Sequence, residues 1–102
     1  MICFVILFVM NFLWNQEKNE LLKLERNVCF EDVVTLINDD CILDIIKHPN
    51  DKKYPEQKIY LVLLQGYVHM VPFVRNDKEI FLKTIVPSRK MHKLYKGKSY
   101  EI

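Results

Sequence analysis

The groups in this sequence that can do chemistry in water are three histidines and a run of cations. His48, His69 and His92 stand 21 and 23 residues apart with no second ligand beside any of them, a spacing outside the usual metal-binding patterns. No metal and no cofactor is therefore expected. An imidazole titrates nearest neutral pH, which makes His69 the candidate general acid or base, with His92 as its rival. The segment KTIVPSRKMHKLYKGK, residues 83–98, carries six lysines and arginines and no acid. Lys83 and Arg89 are the candidate clamp for a scissile phosphate. Arg75, Lys90 and Lys93 are candidates to hold neighbouring phosphates, and Tyr67 to stack a base or assist proton transfer. A proton carrier beside cations is what proton transfer at a phosphate ester needs in the absence of a metal.

Each of these residues also has a plainer reading. His69 fits an ordinary sheet histidine, and the basic tail a solvated helix. Glu17, Glu20, Asp39 and Asp40 read as helix-end charges, because nothing in the pattern brings two of them into one cleft. Trp14 reads as a core anchor.

The elements that must position the candidates follow one another closely. Asn15 is a fitting N-cap, Glu17 and Glu20 suit the positive end of a helix, and Leu21, Leu24 and Val28 recur at three and four residues, predicting a helix over Gln16–Arg26. Asn27 stands where a helix often needs one left-handed residue. A second helix is expected over Phe30–Ile37, burying Phe30, Val33, Val34 and Ile37 and ending at Asp39 and Asp40. Beyond it, β-branched and aromatic runs predict strands at Ile42–Lys47, Lys58–Leu64, Tyr67–Arg75 and Glu79–Val86. The polar loop HPNDKKYPEQ separates the first two. Gln65–Gly66 and Asn76–Asp77–Lys78 are read as hairpin turns. Pro72 has no amide to donate and belongs at a bulge or an unpaired side. A short helix over Ser88–Tyr95 closes the chain. The fold class is α+β: two N-terminal helices on one face of a mainly antiparallel sheet of four to five strands.

Alternation then assigns the faces. One collects Ile59, Leu61, Leu63, Val68, Met70, Pro72, Val74, Ile80, Leu82, Thr84 and Val86, and is the face expected under the helices. The other interleaves Tyr60, Val62, Leu64, Tyr67, His69, Val71, Phe73, Arg75, Glu79, Phe81, Lys83 and Ile85. Left open, that mixed face would offer rings to bases and cations to phosphates; a half-exposed sheet face with no partner is the simpler alternative.

The chain of 102 residues is the size of one domain, and half of it is apolar. Residues 1–50 hold eight acids and four bases, residues 51–102 five acids and eleven bases. That polarity points the second half toward an anionic partner. Cys3, Cys29 and Cys41 are odd in number and widely spaced, which suits a reducing cytoplasm. The opening MICFVILFVMNFLW is too short to span a bilayer and has no basic leader or cleavage site, so no membrane partner is expected. Residues 1–9, ahead of Met10, are read as an upstream extension or else as extra chain on a first strand, and residues 10–102 as a single domain.

WNQEKNELLKLERNVCFEDV resembles the N-terminal signature of the BrnT-like toxins of bacterial type II toxin–antitoxin pairs, through Trp14, Asn15, Lys18, Val28, Phe30, Glu31 and Asp32. KTIVPSRKMHKLY resembles that family's strand-exit segment through Pro87, Ser88, Arg89 and Lys90, and the likeness spans about residues 10–96. It implies a compact RelE-like fold and an endoribonuclease that inhibits translation by cutting mRNA, with or without the ribosome; for that activity the expected catalytic set is His69, Lys83 and Arg89, and the RNA-binding set Tyr67, Arg75, Lys90, His92 and Lys93. It also implies neutralisation by an antitoxin from the neighbouring gene, which would bury the mixed face and set acids against the basic tail. Arg26 and Asn27 replace the histidine and glycine of the family's first motif. The competing expectations are a non-catalytic protein- or RNA-binding module on the same face, and a toxin whose activity has lapsed.

Overall fold

The computed structural model describes residues 11–50 and 52–99 as an α+β domain with three helices and a mixed six-stranded sheet. Residues 1–9, read as an extension or as first-strand chain, lie outside the described residues, as does Cys3. Strand β1 (Asn11–Leu13) leads into helix α1 (Gln16–Arg26), whose first turn is held by the Asn15 side chain accepting the Lys18 N–H at 3.0 Å. Asn27 ends it at φ 57°, ψ 36° and returns its N–H to the Leu22 and Lys23 carbonyls, the left-handed stop expected of an asparagine. Helix α2 (Phe30–Asn38) has no cap from its own N-cap residue, Cys29. The cap comes instead from α1, where buried Asn19 accepts the Phe30 N–H and donates to Glu31 Oε1, both at 2.8 Å. One side chain thereby fixes the angle between the two helices.

The remaining strands are β2 (Asp44–Lys47), β3 (Gln57–Leu64), β4 (Tyr67–Arg75), β5 (Glu79–Leu82) and β6 (Val86–Pro87), followed by helix α3 (Arg89–Ser99). Their order across the sheet is β1-β5-β4-β3-β2, with β6 beside β4 beyond the end of β5. The sheet is larger than the four to five strands expected, because β1 adds in parallel to β5 and the last predicted strand divides in two. The β3–β4 hairpin turns on Gln65 (φ 54°) and Gly66 (φ 73°), two left-handed residues that match the twist of the strands they join.

Two expectations about the sheet are overturned. Asn76, and not Arg75, faces Glu79 across the turn: Asn76 donates its N–H to the Glu79 carbonyl and its side chain accepts the N–H groups of Lys78 and Glu79. The registers Arg75↔Ile80 and Phe73↔Leu82 result. This one-residue slip exchanges the faces of β5, so Ile80 and Leu82 side with Phe73 and Arg75, and Phe81 with Val74. At Pro72 the chain slips back. Three residues, Lys83 to Ile85, pass Pro72 and Val71 before Val86 pairs with Met70, a bulge where the missing proline amide leaves the ladder open.

The second correction concerns which face is covered. Helices α1 and α2 pack Leu22, Val28, Phe30 and Val33 onto Tyr60, Val62, Leu64, Val71, Phe73, Ile80, Leu82 and Ile85, which is largely the face expected to stay open. The opposite face is closed by α3. His92 Nδ1 accepts the Val68 N–H at 3.2 Å, and Tyr95 Oη donates at 2.8 Å to Asp44, the strand partner of Leu61. Leu61 and Val68 are fully buried there. The unbroken apolar run IYLVLL in β3 is the physical reason, since a central strand with both sides apolar asks for cover on both.

Candidate functional site

Only part of the interleaved face is roofed. Toward the far ends of β3 and β4 the core borders a groove of about 390 Å³ lined by Ile45, Glu56, Lys58, Tyr60, Phe73, Arg75, Asn76 and Asp77. The sheet registers build it. Lys47, Lys58 and Phe73 form one cross-strand row, Ile45, Tyr60 and Val71 the next, and Arg75 lies two residues beyond Phe73 on the same side. The Tyr60 and Phe73 rings stack with centroids 4.0 Å apart and planes 17° from parallel, a floor that belongs to the core and is only 5% and 4% exposed. Burial pushes the Tyr60 hydroxyl above its usual range, partly offset by the Arg75 guanidinium.

The groove's cations are unspent. Among the described residues, ion pairs are made only by Lys23, with Glu20 and Glu31. Lys58 and Arg75 thus face the groove without a carboxylate of their own, and an anion entering it displaces no internal partner. Glu56 and Asp77 add two carboxylates to the lining, the one type of group here able to take a proton from a hydroxyl without a histidine. Volume and cations suit a phosphate-bearing ligand held by its charge, since Tyr60 and Phe73 are too buried to offer a free face to a base.

The residues singled out in the sequence fall into four separate places. His69 is only 6% exposed, roofed by the helices, with Nδ1–H donated to the Tyr67 carbonyl at 2.9 Å. Burial depresses its pKa, the Tyr67 carbonyl raises it, and the Arg26 charge lowers it further. Tyr67, His69 and His92 do come together: Tyr67 stacks on His92 at 4.2 Å and meets His69 edge-on at 6.1 Å. They serve as a joint between the hairpin and α3, because His92 Nδ1 is engaged by the Val68 N–H. Arg75 lies in the groove. Arg89, Lys90 and Lys93 are exposed on α3. Lys83 is exposed in a shallow depression with Asn15, Glu17, Lys18, Leu21 and Phe81, on the β1 side of the sheet. His69, Lys83 and Arg89 are therefore not brought together on one open surface.

Sequence reasoning missed Lys58, Glu56 and Asp77. Lys58 was within reach, since alternation in β3 sets it on the side of Tyr60. Glu56 and Asp77 sit in the connections that flank β3 and β4, and no periodicity marks them. Trp14 is half-buried against the core and stacks on Phe30 at 5.7 Å, the anchor expected of it. No group of three or more His, Cys, Asp or Glu side chains that could hold a metal ion occurs among the described residues. No helix among them is long and apolar enough to cross a membrane. Cys29 and Cys41 are free thiols, and burial raises the pKa of Cys29. The chain matches no family model, no curated protein and no solved structure.

Proposed function

We propose that this chain is the toxin of a type II toxin–antitoxin pair, a BrnT-like domain of RelE-like fold and a metal-independent endoribonuclease that inhibits translation in the cytoplasm. The observation that supports the reading most is the groove, in which unpaired Lys58 and Arg75 flank the stacked Tyr60–Phe73 floor beside the carboxylate of Glu56. It is joined by the resemblance at Trp14–Asp32 and Pro87–Lys90.

In this proposal the phosphodiester lies between Arg75 and Lys58. Glu56 takes the proton of the ribose 2′-OH, the 2′-oxygen bonds to phosphorus, the bond from phosphorus to the 5′-oxygen breaks, and Lys58 protonates the departing oxygen. The products are a 2′,3′-cyclic phosphate and a 5′-hydroxyl. Arg89, Lys90 and Lys93 on α3 would hold flanking phosphates, a role that exposed cations fill in a salt-dependent way. The buried imidazole of His69 has no part in proton transfer in this scheme. Inducing the chain with and without its neighbouring gene tests the reading. Growth arrest and RNA fragments ending in cyclic phosphate, both abolished by Arg75→Ala and Glu56→Gln, are the expected outcome; intact RNA under induction would reject it.

A second reading is favoured by the burial of His69 and the dispersal of the cations over several surfaces: a protein- or RNA-binding module, or a toxin whose activity has lapsed. It predicts a salt-sensitive RNA complex without fragments or arrest.

A further inference from the structure

Six large apolar side chains are exposed among the described residues: Leu13, Leu21, Leu24, Ile45, Phe81 and Leu94. Scattered singly they would need no explanation. Three of them are not scattered. Leu13 pairs in register with Phe81 across the parallel β1–β5 ladder, so both point to one side of the sheet. Phe81 and Leu21 line a single depression of about 400 Å³ at the start of α1. Leu13 is 42%, Leu21 52% and Phe81 39% exposed, and Leu24, one helical turn beyond Leu21, extends the same strip of α1.

The rim of this depression is positively charged. Lys18 and Lys83 line it together with Glu17. Ion pairs among the described residues involve only Lys23, with Glu20 and Glu31, so Glu17 forms none with either lysine and the two cations outnumber it. An apolar floor between two unpaired ammonium groups fits an amphipathic segment that carries leucine-like side chains on one side and carboxylates beside them. We infer that the Leu13–Leu21–Phe81 surface is the docking site for an acidic amphipathic helix of a partner protein. That the partner comes from the neighbouring gene rests on the toxin reading; the chemistry of the surface does not. The site lies on the β1 side of the sheet, whereas Ile45 of β2, the strand at the opposite edge, lines the groove. A docked partner therefore leaves the groove uncovered, in contrast to the expected antitoxin that buries the mixed face.

A fluorescein-labelled helical peptide with leucines spaced three and four residues apart and glutamates elsewhere is the probe, with the same peptide carrying lysines as its control. Fluorescence anisotropy with the full chain is expected to give a Kd on the order of micromolar for the acidic peptide and no saturation for the basic one. Leu21→Asp and Phe81→Asp are each expected to weaken binding about tenfold or more. The doubly charge-reversed Lys18→Glu, Lys83→Glu chain should prefer the basic peptide, a reversal that loss of folding does not produce. Arg75→Ala should bind as the parent does. Equal binding of both peptides, or affinities unmoved by Leu21→Asp and Phe81→Asp, overturns the inference. So does a dimer in sedimentation that Phe81→Asp dissolves, which makes a second copy the occupant, or binding gained only when residues 1–9 are removed. RNA binding and cleavage are read on the same samples. If the peptide is held but RNA is neither bound nor cut, the docking surface stands and the ribonuclease reading falls; the reverse pattern removes the docking surface alone.

Discussion

The interleaved face of the sheet has two ends that look alike in sequence and differ completely in fate. At one, Val62, Leu64 and His69 lie beneath α1 and α2, and a histidine is stripped of water and held by a backbone carbonyl. At the other, Tyr60 and Phe73 are just as buried, but Lys58 and Arg75 beside them are exposed and line an open groove. Both ends mix rings, aliphatic side chains and a cationic or titratable group on alternate residues of the same two strands. What separates them is the position of the polar group, inside the core for His69 and at its exposed margin for Lys58 and Arg75. A reactive residue type counts only where the roof ends.

The strongest way to break this contrast is to remove the roof. Phe30 is fully buried and stacks on Trp14, so Phe30→Ala should lower unfolding stability by about 3–5 kcal/mol in a urea titration. His69 should then react with an imidazole-modifying reagent that leaves it untouched in the parent.

At the open end, Arg75→Ala should reduce RNA cleavage by about 100-fold or more, as loss of a charge-stabilising donor does, with the folding midpoint unchanged. His69→Gln should leave cleavage near the parent's, far from the loss of about 10² or more that follows removal of a proton carrier. A large loss with His69→Gln and none with Arg75→Ala would invert the comparison.

A smaller effect sharpens it through pH. The folded pKa of His69 is depressed, chiefly by burial, so the unfolded chain takes up its proton first as pH falls. The stability tied to the neutral imidazole is therefore complete above the ordinary histidine value and is lost as the solution is acidified below it. Chemical denaturation between about pH 7.5 and 5 should show that decline in the parent and a flatter profile in His69→Gln. The least effect belongs to the start of the roof, where Asn15→Ala removes the cap on the Lys18 N–H and should lower stability by about 1 kcal/mol.

Much of the fold was legible because its signals are local. Asn15, Asn27 and the three-and-four spacing of α1 depend on one turn of helix, and Gln65–Gly66 on two residues. Pro72 announced a break in its ladder by chemistry alone. The faces were harder, since pairing Asn76 instead of Arg75 with Glu79 inverts all of β5, and nothing in NDK reports that Asn76 will fold its side chain over Glu79. The cover on both sides is written in the unbroken run IYLVLL, which alternation between neighbouring strands does not register. Of the site, Arg75 and the Tyr60–Phe73 side were readable from alternation. Glu56 and Asp77 were not, being held in position by connections rather than by a repeating pattern.

Helix α3 follows every strand it covers and is fastened through Tyr95 to Asp44, near the middle of the chain. During synthesis the layer containing Ile59, Leu61 and Val68 must stay bare until this helix emerges. The nascent domain thus carries a sticky surface from the synthesis of Ile59 onward and sheds it in one late step, so a chain cut short before Arg89 would be prey for chaperones and proteases rather than a smaller working version of the whole.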